Sequence, residues 1–174
     1  MELLTRFAVW IAIASYGGAS SALLLSPARW RLARAVWVLG AAAFSAHAAL
    51  AFHAFYGWSH ATALRETARQ AEALSGVAAG WGLYLNYAFG IVWIADAAAF
   101  CRVGERYLRR PRGVAALLHG FFIVMIANGA IIFAAGPVRW FAAAVLGAVA
   151  ASWWWRRRAK RCKVGRGKAD PLES

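Results

Sequence analysis

The sequence predicts an all-α integral membrane protein: a five-helix transmembrane bundle with one extra amphipathic helix on its outer surface. Three observations carry this reading. Hydrophobic residues make up 62% of the 174-residue chain and charged residues only 16%, against about 45–50% and about 25% in soluble domains. Five apolar runs of about 18–22 residues follow one another, each enough to cross roughly 30 Å of hydrocarbon at 1.5 Å per residue. The 20 Arg and Lys residues alternate between the gaps: one before the first run, three after it, then two, five and one, and eight after the last.

Threading the runs through a bilayer collects sixteen basic residues on one side and four on the other. Basic loops stay cytoplasmic, so the amino terminus lies outside and the carboxyl terminus inside, by default across a bacterial inner membrane. The runs lack the period-two alternation of a membrane β-barrel. Tryptophans agree with the threading. Trp30, Trp37, Trp58, Trp81, Trp140 and the cluster Trp153, Trp154 and Trp155 fall near run ends, at the headgroup level that indoles prefer. Trp10 lies one turn inside, and Trp93 is mid-span.

The first run covers residues 7–25. As a cleaved signal peptide it would strand Arg29, Arg31 and Arg34 on the exported side, so a retained helix is expected. Ser26-Pro27 ends it. The other spans are residues 35–56, 82–101, 114–135 and 138–155, which makes residues 1–155 one membrane domain. Gly136-Pro137 folds the last two spans into a tight hairpin, and Arg110-Pro111-Arg112-Gly113 does the same for the third and fourth. Gly17-Gly18 reads as a helix-packing site.

Residues 59–75 read as the outer-surface helix, capped by Ser59. Leu64, Ala68, Ala71 and Ser75 form its apolar stripe, and Glu66 with Arg69 pairs at one-turn spacing. Its near-zero net charge and alanine-rich face suit packing on the bundle. Residues 156–174 form a basic cytoplasmic tail. Eight basic and no acidic residues between positions 156 and 168 attract anionic lipid, and residues 170–174 are expected to be disordered.

The net charge of +13 invites a nucleic-acid reading, but the charge flanks the apolar runs, where topology explains it. No nucleic acid is expected as a partner. Cys101 and Cys162 fall on the inner side and lack ligand spacing, so reduced thiols are expected.

Ionisable residues inside the spans are functional candidates, because a lone charge in hydrocarbon is expensive. Asp96 and His119 each lie five residues from the inner end of their span, roughly 8 Å deep, and form a candidate polar pair. The pair reads as interhelical glue worth about 1 kcal/mol, or as a proton-handling or headgroup-binding site. Asp96 has an alternative in reaching Arg102 or Arg106. Asn86, Asn128 and His47 match in depth roughly 21 Å from the inner boundary and form a candidate outer polar layer. His53, Tyr56 and His60 line up as a candidate outer-interface site if the second helix continues through Gly57.

His53 and His60 stand two turns apart, too far to chelate one ion, and His47 and His119 differ by roughly 10 Å in depth, which argues against an axial haem pair. No cofactor or metal is therefore expected; haem or metal binding is a secondary alternative. No nucleotide loop, nucleophile elbow or zinc-protease helix is present, so no catalytic residue is assigned. Ala143, Gly147 and Ala151, with Ala144 and Ala148, follow small-xxx-small spacing, compatible with packing inside the chain or against another membrane subunit. The leading expectation is a non-enzymatic subunit or scaffold of a membrane assembly. The alternatives are a small redox, metal- or ligand-binding membrane protein and a proton-coupled carrier.

Overall fold

Proline and glycine mark the ends of the helices in this chain. A computed structural model describes residues 1–134 and 136–166, and these contain no β-strand; segment 170–174 lies outside them. The helices are α1 (Glu2–Leu25), α2 (Trp30–Tyr56), α3 (His60–Ser75), α4 (Gly82–Val103), α5 (Arg112–Ile126) and α6 (Pro137–Arg166). Short 3-10 helices at Pro27–Arg29 and Gly104–Arg109 turn the chain, and a π-helix, Ala127–Phe133, extends α5.

Four helical stretches are long and apolar enough to cross a membrane: Leu3–Leu25, Pro27–Tyr56, Gly82–Arg109 and Arg112–Phe133, of 23, 30, 28 and 22 residues. The fifth expected span, in α6, is not among them. Arg139 near its start and Trp153, Trp154 and Trp155 at the end of its apolar part dilute its hydropathy. α6 runs on as helix to Arg166, well past the expected boundary at residue 155.

The helix ends have local causes. The Ser26 N–H donates to the Ala22 carbonyl at 2.8 Å, and Pro27 opens the following 3-10 turn. α2 stops where Gly57 (φ 53) and Trp58 (φ 61) enter the left-handed region, so it does not continue through Gly57 as the expected stripe of His53, Tyr56 and His60 required. Ser59 caps α3, its hydroxyl accepting from the Thr62 N–H at 3.2 Å. Arg69 grips Glu66 with two bonds of 2.9 and 2.6 Å. The buried stripe of α3 is Ala63 and Ala71, with Leu64, Thr67 and Ala68 half-buried. Leu64 and Ala68 of the expected stripe lie against Gly80 in the loop before α4, whereas Ser75 is exposed and Ala63 joins the packed face.

α1 is the central helix, packed against both α2 and α6, while α2 also packs on α4. Small residues permit the close approach. A side chain on Gly17 would overlap Val145 of α6, and one on Gly40 would sit 2.5 Å from Trp93 Cζ2 and 3.0 Å from Ser15 Cβ. Large rings from four helices meet at the centre: Tyr16 of α1, Trp37 of α2, Phe89 and Trp93 of α4, and Phe122 of α5. Phe122 stacks on Tyr16 and Trp37 with centroids 5.6 and 5.3 Å apart and meets Trp93 edge-on at 5.0 Å. Such pairs contribute about 0.5–1.5 kcal/mol each beyond area burial.

Gly40→Val should therefore destabilise by about 1–3 kcal/mol through overpacking, read as a lower thermal midpoint of the purified protein in detergent. On α3, the bonds from Arg69 and Gln70 hold the Glu66 carboxyl down from 4.5 to about 2. A depressed carboxyl stabilises above its unfolded value and loses that contribution as pH falls through its folded one. Hydrogen-exchange protection of α3 should stay flat near neutral pH and drop from pH 4.5 through about 2. Glu66→Gln should remove that pH dependence.

Candidate functional site

At one end of the aromatic centre, α4 and α5 are joined by a polar cluster built around Arg110. Pro111 restricts the residue before it, and Arg110 adopts an extended backbone (φ −57, ψ 150) that ends the 3-10 helix and sends the chain back into α5. Its guanidinium turns inward. Nη1 donates to Asp96 Oδ1 at 3.1 Å, and Nη2 donates to His119 Nε2, also at 3.1 Å. Arg110 also bonds the Tyr107 hydroxyl, which in turn donates to Asp96 Oδ2 at 2.5 Å.

Asp96 and His119 thus belong to one cluster without touching each other: Arg110 lies between them. A guanidinium carries only donors, so His119 Nε2 supplies the lone pair and its ring is neutral, protonated at Nδ1. The Arg110 and Asp96 side chains keep only 17% and 14% of their exposure. In this state the cluster neutralises one buried charge with another, and Tyr107 fills the remaining carboxylate position. Arg102 and Arg106, the alternative partners of Asp96, are exposed.

Arg110 and Tyr107 escaped the sequence reading because they sit in a basic loop. A lone carboxylate inside an apolar run requires a nearby cation, and the arginine fixed by a following proline was the one to test.

His119 also faces the aromatic centre, its ring 6.1 Å from Tyr16 and 6.0 Å from Trp37. Among the described residues, four fully buried polar atoms there and nearby have no protein partner: the Tyr16 and Ser20 hydroxyls and the indole N–H groups of Trp37 and Trp93. Each such group costs about 1–3 kcal/mol if left unpaired.

The expected outer layer is not joined. His47 Nδ1–H donates to the Thr5 carbonyl on α1 at 2.9 Å, while Asn86 is exposed and Asn128 half-buried in the π-helix. No hydrogen bond links these three. At the expected outer-interface site His60 sits between two tyrosines, with Nδ1 3.0 Å from the Tyr87 hydroxyl and Nε2 3.4 Å from that of Tyr84. His53 Nδ1 accepts instead from the Trp58 indole at 3.3 Å, and Tyr56 packs on Phe52. The three expected members are therefore split among three local contacts. Among the described residues, no three of His, Cys, Asp and Glu are grouped to hold a metal ion.

Compared with protein-family models, with curated proteins and with solved structures, the chain matches none of them.

If Arg110 is the hub, Arg110→Lys should fail to restore stability, because a single ammonium cannot reproduce the guanidinium fork. A double-mutant cycle with Asp96→Asn and Arg110→Gln should return a coupling near 1 kcal/mol, the upper part of the range for polar pairs inside membrane bundles. Unfolding of the detergent-solubilised protein measures both.

Proposed function

We propose that this chain is a multi-pass protein of five spans, its basic tail in the cytoplasm and α3 on the outer face of a bacterial inner membrane. It acts as a non-catalytic subunit of a membrane assembly. The reading rests on four apolar helices, on the alternating placement of basic residues, and on what α6 leaves open. One side of α6 packs on the bundle through Ala142, Val145, Leu146, Val149 and Ser152. Its small-residue stripe, Ala143, Gly147 and Ala151, is exposed, and a side chain on Gly147 would meet nothing within 4 Å.

That open stripe is the observation that carries the subunit reading. Without water to drive them together, membrane helices associate where small residues let backbones approach, and this face has no partner among the described residues of its own chain. The polar groups in the spans favour the same reading. Asp96, His119 and His47 are engaged in internal hydrogen bonds and serve as joints of the bundle. The tail adds attraction to anionic lipid.

A second reading, a small ligand- or redox-binding membrane protein, draws on the unpartnered hydroxyl and indole groups beside His119. An optical spectrum and metal analysis of the purified chain test it. A proton-coupled carrier centred on Asp96 has less support, since that carboxylate already accepts from Tyr107 and Arg110; pH-dependent flux in proteoliposomes tests that reading.

Extraction in mild detergent should yield this chain with a fixed partner, and Gly147→Leu should reduce co-purification about tenfold, corresponding to ~1.4 kcal/mol, without altering the thermal midpoint. A lone monomer would overturn the subunit reading. In whole cells, an impermeant maleimide should label a cysteine placed at exposed Ala61 and reach exposed Cys101 only after permeabilisation.

A further inference from the structure

We infer that the inner end of α6 and the corner between α1 and α2 together form a discrete site for one anionic glycerophospholipid, whose phosphate lies between Arg29, Arg31 and Arg34 on one side and Arg156 and Arg157 on the other. The inference rests on the membrane-spanning reading and deepens its lipid partner from a diffuse attraction to a built site.

The geometry begins with a helix end. The last four carbonyls of α1 lack partners within the helix. Arg156 Nη1 donates to one of them, the Leu23 carbonyl, at 3.4 Å. A cation there also suits the negative end of the helix dipole. This contact brings α6 to the corner where Pro27–Arg29 and the first turn of α2 carry three more arginines. No acidic residue occurs between positions 26 and 59 or between 138 and 166, so nothing on these segments neutralises the charge.

The guanidinium groups are poised rather than spent. Arg31 and Arg34 lie over the Trp30 ring at 5.4 and 5.3 Å, and Arg157 lies over Trp153 at 3.6 Å. Stacking on an indole leaves the N–H edge of a guanidinium free to donate, and Arg forks match phosphate oxygens. Among the described residues, Arg29, Arg31, Arg34 and Arg157 donate to no protein acceptor, whereas Arg110 and Arg69 do. Trp30 is itself fixed, packed against the core and close to Gly104. Leu25 and Leu32, both 57% exposed, flank the corner and offer apolar surface to acyl chains. Phosphate-ready cations beside exposed leucines suit a lipid better than a soluble anion, because both ends of the lipid are recognised.

The test uses the purified full chain in detergent micelles, titrated with phosphatidylglycerol or phosphatidylcholine of identical acyl chains and read by native mass spectrometry. One phosphatidylglycerol should persist at collision energies that strip phosphatidylcholine. Arg157→Gln should weaken retention about fivefold, the effect of one basic residue near an anionic surface. Because Arg157 lies over the Trp153 ring and donates to no protein acceptor among the described residues, this variant keeps the test open if a combined Arg31→Gln, Arg34→Gln, Arg157→Gln chain does not fold. Removing Arg106, Arg109 and Arg112 on the other basic loop should leave retention within about twofold. Equal loss from that control means diffuse charge and overturns the proposal, as does equal retention of both lipids or complete displacement by inorganic phosphate. Maleimide labelling that reversed the topology would overturn the orientation but leave this micelle measurement standing.

Discussion

A polar group inside an apolar helix must find its partner within the protein, and that constraint explains where this chain is tied together. Asp96 is the sharpest case. With a carboxylate set into an otherwise aliphatic and aromatic stretch of α4, the following loop has to return a cation, and Arg110 does so while also reaching His119 on the next helix. The same requirement sends the His47 N–H to the Thr5 carbonyl and Arg156 to the open end of α1. Each tie joins segments that are separate in sequence through a specific hydrogen bond.

Between the ties sits the aromatic centre. Tyr16, Trp93 and Phe122 are at most 1% exposed and Trp37 3%, so α1, α2, α4 and α5 meet there in one contact. Gly40 makes room for Trp93 by lacking a side chain. The ionic cluster adjoins this centre through His119, whose ring lies beside Tyr16 and Trp37. Packing and electrostatics are thus coupled through one imidazole. Among the described residues, indole and hydroxyl groups around it lack protein partners, each at a cost of about 1–3 kcal/mol if left unpaired.

What the sequence revealed was height and punctuation. Pro27 and Gly136-Pro137 stand at helix ends as read, Ser59 caps α3, and Glu66 pairs with Arg69. Counting residues from a boundary placed Asp96 and His119 at one depth, and they share a cluster. Depth matching failed for Asn86 and Asn128 because height says nothing about whether two helices stay together. α4 meets α5 where Phe89 and Trp93 face Phe121 and Phe122, while Asn86, about one turn before Phe89, is exposed. Nor does composition tell which of the five arginines between the third and fourth spans turns inward. That depends on the 3-10 turn and on Pro111, a matter of three-dimensional path.

The wide turn in Ala127–Phe133 has a consequence for phase. Along α5 the inward positions are Phe122, Met125 and Ile126, followed by Ala130, while Gly129 is exposed. In an uninterrupted α-helix, position 129 would return beneath Phe122 after seven residues. The π-helix delays that return by a residue, so the two parts of this helix are out of step. Homologous chains that lack one residue here should carry a regular helix and a differently aimed sixth one, which makes this segment the natural point for related bundles to diverge in shape.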